Sequence, residues 1–317
     1  MKQVICTSYG SAEAEKGLVI ITEKDDQYRC ETIPLPGKCS FCIEHDNRLY
    51  VPVQAEQPVV MEYRRNGAEL IHTGTYSVSH FYAHGVFYKG YLFLASFSDG
   101  ADAVYDISTH KELDFFNHFR NGYSVTGRSH YIGVTPDQNY LYAVDNALQV
   151  IYVYEIRNNR FCLRSTVLFP DENIRLMPVS EYSGCAYLNT EITNRIYVMR
   201  YDSGEFHIQD TATMEVGDKC FSGGCAVSED GRHLCVSLRG DDFLEYYRIH
   251  KDGSLTLLNR VSCGAIPRDI RFVNEMVYVS CTGDNSVEVY STKGDILRRI
   301  QSITIPQPVT FAVQEKF

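Results

Sequence analysis

An all-β fold, a seven-bladed β-propeller with four antiparallel strands in each blade, is predicted by three features of this sequence. Val, Ile, Tyr and Phe recur in short runs interrupted by Gly, Asp, Asn or Pro, and the 317 residues include 23 tyrosines but no tryptophan. A pair of apolar strands joined by a polar turn recurs about every 45 residues. Long amphipathic helical stretches are missing. This composition and spacing are typical of propeller blades.

Six copies of the strand pair follow one another along the chain. The second residue of the first strand in each copy is its anchor, and successive anchors lie 43 to 49 residues apart. The anchors are Tyr50, Phe93, Tyr142, Tyr187, Cys235 and Tyr278. Each copy has an apolar strand before the anchor and a more polar fourth strand after the pair. Four strands in about 45 residues match one blade.

The amino-terminal segment supplies a seventh copy that lacks its innermost strand. Residues 4–8 and 17–21 form its strand pair, and residues 308–313 near the carboxyl terminus are predicted to provide the missing strand. Closing the ring in this way removes exposed strand edges, which would otherwise favour aggregation. We therefore expect residues 1–317 to form a single propeller domain. A two-sheet sandwich, the alternative, would show no such period.

The charge balance limits the expected partners. Thirty Lys and Arg residues against forty Asp and Glu residues give a formal net charge of −10, which disfavours attraction to nucleic acid or an anionic membrane. The amino-terminal segment lacks a signal-peptide pattern, and no apolar run approaches the ~20 residues that span a bilayer. Eleven scattered cysteines favour buried thiols over disulfides. We expect a cytoplasmic protein, monomeric or weakly homodimeric.

Other motifs predict little chemistry. Cys39 with Cys42, and Cys220 with Cys225, have spacings found in metal or redox sites, but neither pair has the matched second pair of a zinc site. We interpret them as core or loop thiols and expect neither a metal nor a cofactor. The sequence contains no phosphate-binding loop, dinucleotide fingerprint or Gly-x-Ser-x-Gly motif. The absence of tryptophan disfavours WD repeats.

Four chemically active residues occupy equal offsets from the anchors. His130 and Arg175 lie twelve residues before the anchors of the fourth and fifth units, while Glu191 and Arg239 lie four residues after those of the fifth and sixth. An innermost strand and its neighbour run antiparallel, so the start of one lies beside the end of the other. We predict that these four side chains collect at one mouth of the central channel. Two arginines there would suit an anionic substrate.

The sixth unit contains the most specific motifs in the chain. Residues 228–242, followed by Gly253-Ser-Leu255 and Gly264-Ala-Ile-Pro-Arg268, are similar to the motifs SPDG-x-x-L-Y-V-S-N-R-G, G-x-L and G-x-x-P-R. These motifs mark the lactonase-type seven-bladed propellers, which include bacterial 6-phosphogluconolactonases and fungal carboxymuconate lactonising enzymes. The resemblance covers essentially the whole chain. It implies hydrolysis of an acidic sugar lactone, most simply 6-phosphogluconolactone of the pentose phosphate pathway.

Further matches place the candidate site residues on the family pattern. Ser129-His130 with Asp145 is similar to a His-containing strand and a following Asp of the family, and Arg175 with Thr190-Glu191 is similar to its G-P-R-H and N-E-L motifs. The resemblance implies that one of His130 and Glu191 activates water while the other assists the leaving alkoxide. The choice of base between them is open.

The remaining site residues have binding or supporting roles. Arg175 and Arg239 are expected to hold the anion and to stabilise the developing oxyanion. His84 and Arg268 are secondary candidates for substrate binding. Asp145 is grouped with them, although its offset differs by one residue from that of Glu191, which favours a role in orienting neighbours.

Three triplets of the family motifs are altered in this chain. The triplets S-N-R, P-R-H and A-N-Y of the family are Ser237-Leu-Arg239, Ile174-Arg-Leu176 and Ala95-Ser-Phe97 here. Neighbouring polar groups have therefore become apolar or shorter while the charged residues remain. The sequence therefore leaves the identity of the small anionic lactone substrate undecided.

Two alternatives to the lactonase remain. The same residues could serve a cycloisomerase of the carboxymuconate type, or the propeller could bind a metabolite or a protein without catalysis, because a fold does not fix a function. An open, charged mouth would favour the enzyme. A mouth plugged by Phe97, Leu238 or His130 would favour the non-catalytic protein.

Overall fold

Seven β-sheets, ordered along the chain, make up the computed structural model, which describes residues 2–25 and 27–314. Six sheets have four strands and the second has five. The predicted seven-bladed propeller with four antiparallel strands per blade is therefore confirmed. Residues 1, 26 and 315–317 of the predicted domain lie outside the described residues. Within the described part, no helix is long and apolar enough to cross a membrane.

The strands are numbered in chain order, and each blade is a set of neighbours in one sheet. They are β1 (Lys2–Ser8), β2 (Gly17–Lys24) and β3 (Gln27–Pro34) of blade 1; β4 (Ile43–His45), β5 (Arg48–Val53), β6 (Val59–Asn66) and β7 (Glu69–Ser77) of blade 2; β8 (His84–Tyr88), β9 (Tyr91–Ser96), β10 (Ala101–Asp106) and β11 (Lys111–Asn117) of blade 3; β12 (Ser129–Val134), β13 (Leu141–Asp145), β14 (Val150–Arg157) and β15 (Arg160–Leu168) of blade 4.

The second half of the chain repeats this plan. Its strands are β16 (Val179–Ser180), β17 (Cys185–Asn189), β18 (Arg195–Asp202) and β19 (Glu205–Thr213) of blade 5; β20 (Phe221–Val227), β21 (His233–Arg239), β22 (Phe243–Ile249) and β23 (Leu255–Ser262) of blade 6; β24 (Pro267–Val273), β25 (Met276–Cys281), β26 (Ser286–Ser291) and β27 (Arg298–Thr304) of blade 7; and the carboxy-terminal β28 (Pro308–Phe311) and β29 (Val313–Gln314).

The carboxy-terminal strands close the ring. Strand β28 pairs with β1, with Phe311 opposite Cys6 and Pro308 opposite Ser8, and thereby forms the innermost strand of blade 1 as predicted. The chain then continues into β29, which pairs in parallel with β4 of blade 2. This second contact was not predicted, because two residues are too few to show a periodic pattern. One chain end therefore joins two neighbouring blades.

The core lies between neighbouring blades. All six anchors are at most 1% exposed, and the middle strands carry continuous buried runs, as in β13 and β17. The outermost strands alternate between exposed and half-buried residues, as in β11 and β15. All eleven cysteines are free thiols and eight are buried. Burial raises the pKa of Cys39 to about 12, so this thiol stays protonated at neutral pH.

Candidate active site

Glu191 lies between two arginines at one mouth of the channel. Its Oε1 accepts a hydrogen bond from Arg239 Nη2 at 2.6 Å and lies 3.3 Å from Arg175 Nη1. Its Oε2 accepts a hydrogen bond from Asn146 Nδ2 at 3.4 Å. The three charged residues come from blades 5 and 6, and the predicted convergence of their side chains is found.

A β-bulge places His130 at the same mouth. In β12, Ser129 pairs with Asp145 and Tyr131 pairs with Val144, which leaves His130 unpaired on its strand. Bulges bend a strand locally and re-aim the extra side chain. The imidazole of His130 consequently lines the central cavity.

Arg175 and Arg268 occupy the equivalent places in blades 5 and 7. Ile174, the residue before Arg175, forms an isolated bridge with Thr190. In blade 4 the residue before His130 pairs with Asp145, and both Thr190 and Asp145 lie three residues after their anchors. In β24 a register shift between Pro267 and Asp269 leaves Arg268 unpaired. The offsets from the anchors did not identify Arg268, because the hairpin that follows it is shorter than the one in blade 4. His130, Arg175 and Arg268 therefore form a ring of equivalent positions.

Gly223 lies beside both mouth arginines at a position that has no room for a side chain. Arg175 Nε donates a hydrogen bond to the Gly223 carbonyl at 3.2 Å, and Arg239 Nη2 donates to the Ser222 carbonyl at 2.8 Å. A Cβ atom on Gly223 would lie 2.6 Å from the Pro267 carbonyl oxygen and 2.8 Å from Ser237 Oγ. No side chain fits there without displacing backbone. The glycine thus fixes the arginines through backbone carbonyls.

The channel is open and cationic at this mouth. A cavity of about 710 Å³ is lined by His130, by one acidic residue, Asp269, and by four arginines, which are Arg175, Arg239, Arg268 and Arg271. Phe97 forms part of the wall, whereas Leu238 is fully buried away from the cavity. Neither residue closes the mouth. The concentration of positive charge contrasts with the net charge of −10 for the whole chain.

Burial and the arginines set the protonation states of the site. Burial would raise the pKa of Glu191, but Arg175 and Arg239 outweigh it, and the pKa lies below its ordinary value. Burial, followed by the charge of Arg175, lowers the pKa of His130 well below 6.5. Burial also lowers the pKa of Arg175 to about 10, although Glu191 opposes this effect. At pH 7 the site holds a carboxylate, charged arginines and a neutral imidazole.

His84 lines the cavity at a different level from His130. It pairs with Ala95 in blade 3, and the equivalent pair in blade 4 is Tyr131 with Val144. His84 is therefore equivalent to Tyr131, and both residues line the cavity. Burial lowers the pKa of His84 to about 3, and its Nδ1 accepts a hydrogen bond from the Ile132 amide at 3.3 Å. His84 is therefore a neutral wall residue beside the mouth cluster.

Comparison with known proteins fits this geometry. The family model described as "Lactonase, 7-bladed beta-propeller" matches residues 37–313.

The chain belongs to this lactonase family. A 6-phosphogluconolactonase of Bacillus subtilis is 30% identical over 155 residues, which cover 45% of this chain and 44% of that protein. The chain thus aligns with less than half the length of this relative. A structure from Lactobacillus plantarum has a TM-score of 0.85 at 19% identity, and the periplasmic gluconolactonase of Pseudomonas aeruginosa has 0.83 at 20%, each covering 98% of both chains. At these identities the structural likeness shows the fold.

Asp145, which was grouped with the substrate-binding residues, does not line the cavity, and its contacts favour the orienting role. Its side chain is fully buried, outside the cavity lining, and its Oδ2 accepts hydrogen bonds from His118 Nδ1 at 2.7 Å and from the Arg128 amide at 2.8 Å. Asp102 Oδ2 lies 2.9 Å from His118 Nε2 on the other side. Asp145 orients neighbouring groups across blades 3 and 4 and cannot reach a ligand in the channel.

Two residues of interest were missed in the sequence. His118 was not singled out, although Asp102 within the apolar run of β10 signals a buried charge that needs a partner. Arg271 lines the cavity two residues beyond Asp269 on β24, and the alternation of strand side chains could have indicated it.

The described residues contain no group of three or more His, Cys, Asp and Glu side chains arranged to hold a metal ion. A carboxylate, a neutral imidazole and three arginines are groups that can bind an anion and activate water.

Proposed function

We propose that the protein hydrolyses small anionic lactones at this channel mouth, with 6-phosphogluconolactone as the first substrate to examine. One observation carries the proposal: Arg175, Arg239 and Arg268 line one open cavity together with His130, and Glu191 joins two of these arginines. Membership in the lactonase family supports the reaction class.

The arginines would recognise the anion and stabilise the transition state. A guanidinium presents a planar fork that matches carboxylate or phosphate, and Arg268 has no carboxylate within ion-pair distance among the described residues. The guanidinium of Arg268 lies over the ring of Tyr9, 5.5 Å from its centroid, and is therefore available to bind the anionic group. Arg175 and Arg239, already held by Glu191 and by backbone carbonyls, are placed to stabilise negative charge that develops on the lactone carbonyl oxygen.

His130 is the better candidate for the base. Glu191 is held by two arginines, and its lowered pKa makes it a weak proton acceptor. The imidazole of His130 is neutral, and Nδ1 has no hydrogen-bond partner in the part of the chain that the structure describes. An anionic substrate would offset the charge of Arg175, which depresses the pKa of His130, and would thus make the ring more basic.

The reaction then needs no group beyond these side chains. His130 takes a proton from water as the water oxygen attacks the lactone carbonyl carbon, and the arginines bind the tetrahedral oxyanion. The intermediate collapses with cleavage of the ring ester bond, and the protonated His130 returns its proton to the leaving alkoxide. The product is the open-chain hydroxy acid, whose new carboxyl group releases its proton to the solvent at neutral pH.

The test is hydrolysis of freshly generated 6-phosphoglucono-δ-lactone by the purified protein, corrected for the spontaneous reaction. We expect enzymatic acceleration that His130→Gln and Glu191→Gln each reduce by a factor on the order of 10² to 10⁴. Arg160, exposed on the outer strand β15, provides the matched control Arg160→Ala, which should retain full activity.

Product analysis separates the lactonase from the cycloisomerase. Hydrolysis adds one water to the lactone, whereas cycloisomerisation leaves the mass unchanged, so mass spectrometry in H₂¹⁸O distinguishes the two. Absence of any acceleration with this lactone and with a panel of carboxylated lactones would refute the proposed hydrolase.

A further inference from the structure

The face with the channel mouth also collects exposed apolar side chains. Fifteen large apolar side chains are exposed among the described residues, of which eight lie on outermost strands and one, Ile296, lies in a loop on the opposite face. The other six lie at mouth-side ends of strands or loops: Phe119, Tyr123, Val125, Ile192, Phe221 and Ile266. Single exposed apolar residues are common, but a concentration on one face marks a binding surface.

Three of these residues adjoin the cationic site, and we call Ile192, Phe221 and Ile266 the mouth rim. Ile192 directly follows Glu191 and is 54% exposed. Phe221 pairs with Arg239 across the two inner strands of blade 6 and is 43% exposed. Adjacent residues are only 3.8 Å apart along the chain. None of the three lines the cavity itself, so a molecule bound to the arginines reaches the rim only through a substituent that extends out of the channel mouth.

Ile266 has a backbone conformation that its residue type disfavours. Its φ is 54°, a region that a β-branched residue rarely adopts, and a following proline disfavours it further. Hydrogen bonds fix this conformation: the Ile266 amide donates to Asp242 Oδ1 at 3.0 Å, and its carbonyl accepts from the Thr282 amide at 3.1 Å. The side chain is 48% exposed and gains little from burial. Strain of this kind is typical of functional sites.

The cavity wall near the arginines is also partly apolar. Phe97 packs edge-on against His130 with ring centroids 5.3 Å apart, and Leu176 follows Arg175 directly. Both side chains line the same cavity as the arginines. The site thus offers cationic groups for an anion and, beside them, apolar surface for a hydrocarbon group.

We propose that the preferred substrates are amphiphilic anionic lactones, whose anionic group binds the mouth arginines and whose alkyl or aryl substituent lies on the mouth rim. This substrate class rests on the proposed lactonase activity and narrows it. 6-Phosphogluconolactone carries the anion without such a substituent, so it is a reference substrate against which the preference is measured.

The experiment compares two carboxylated δ-lactones that differ only in a butyl substituent on the ring. Full burial of one methylene changes affinity by about fourfold, so partial burial of a butyl group on the rim should give about tenfold or more. We expect kcat/KM to be about tenfold higher for the butyl lactone, mainly through a lower KM. The readout is the ratio of the two kcat/KM values.

Variants assign this ratio to the mouth rim. Ile192→Ser and Phe221→Ser should each move the ratio toward one. Ile208, 50% exposed on the outer strand β19, gives the matched control Ile208→Ser, which should leave the ratio unchanged. Ile266→Asn should lower the ratio while maintaining or raising the melting temperature, because Asn tolerates positive φ. If Ile266 served only to stabilise the fold, Ile266→Asn would lower the melting temperature and leave the ratio unchanged.

Each failure has a separate meaning. A wild-type ratio near one, or a ratio that Ile192→Ser and Phe221→Ser leave unchanged, overturns the amphiphilic substrate while the proposed hydrolase stands. Absence of hydrolysis of both lactones and of 6-phosphogluconolactone overturns the proposed function and this inference with it. If the serine variants convert a dimer to a monomer in size-exclusion chromatography without changing the ratio, the rim is a contact between copies and the inference is wrong.

Discussion

Two histidines at the two ends of the segment between β11 and β12 show how the same side chain acquires opposite properties. His118 is fully buried between the carboxylates of Asp102 and Asp145, and although burial alone would lower its pKa, the two aspartates raise it to about 9. His130 lines a cavity beside Arg175, and burial together with that arginine lowers its pKa well below 6.5. The first is a charged structural link and the second a neutral group available for proton transfer.

The charges beside each histidine determine whether it is a charged structural residue or a neutral group. The Asp102–His118–Asp145 cluster is completed by Tyr154, whose hydroxyl donates to Asp102 Oδ2 at 3.0 Å, and by the Leu148 amide, which donates to Asp145 Oδ1 at 2.7 Å. Its donors and acceptors are satisfied within the protein. In the mouth cluster, by contrast, the buried Nδ1 of His130 has no hydrogen-bond partner among the described residues, and His130 lines a cavity. Unsatisfied groups facing a cavity are the ones that can serve a ligand.

Replacing His118 would give the largest effect on stability. His118→Ala leaves two buried carboxylates facing each other without a partner, and we expect a loss of about 3–5 kcal/mol in the free energy of unfolding. Urea denaturation measures this loss. His207, exposed on β19, provides the control His207→Ala with little effect. A stable His118→Ala protein that has lost its activity would reverse the roles of the two histidines.

Replacing a mouth arginine would affect catalysis instead. Arg239→Ala removes a donor placed for the oxyanion, so kcat/KM should fall by about 10²–10³-fold. Because Arg239 is a fifth exposed and lies at the channel mouth, its loss should change the free energy of unfolding far less than the loss of His118. Lactone hydrolysis and urea denaturation of the same sample test both statements. Unchanged turnover with a large loss of stability would contradict them.

Stability should also depend on pH through His118. Its folded pKa of about 9 exceeds the ordinary 6.5, so its stabilising contribution is fully present below pH 6.5 and is lost as the pH rises through 9. A shift of this size corresponds to about 3 kcal/mol. Unfolding free energies of the wild type and of His118→Gln between pH 6 and 9.5 isolate this contribution, since only the wild type should show it. Equal slopes in the two proteins would disprove it.

The smallest expected effect concerns the activity profile at acidic pH. His130 must be neutral to accept a proton, and because its pKa is lowered, kcat/KM should stay constant as the pH falls through 6.5. The decline should begin only at lower pH, where His130 or Glu191 becomes protonated. A pH–rate profile with an inflection at or above 6.5 would show that another group is the base.

Much of the fold and part of the site could be predicted from the sequence. Apolar alternation around anchors such as Tyr142 and Tyr187 repeats in every blade, because each blade must bury the same two faces. The equal offsets of Arg175, Glu191 and Arg239 then placed these three side chains at one mouth. A repeat fixes which residues occupy equivalent positions, and equivalence is enough to predict convergence.

Other features depended on details that no repeat encodes. The hairpin after β24 is shorter than the one after β12, so Arg268 does not have the same offset from its anchor as His130. The matching register shifts in the two strands show that the positions are equivalent. Asp145 was grouped with the substrate-binding residues, yet it pairs with His118, which lies 27 residues earlier in a loop between blades. Loop contacts of this kind carry no periodic signal.

The sequence by itself determined the number of blades, the closure of the ring by the carboxy-terminal strand and the mouth that holds the charged residues. These follow from local patterns of burial and from antiparallel pairing, which act over a few residues. Only the tertiary structure decided the opposite pKa shifts of His118 and His130, the burial of Asp145 and the exposure of the mouth rim. Electrostatic and desolvation effects depend on every group within a few ångströms, and the chain brings those groups together from distant positions.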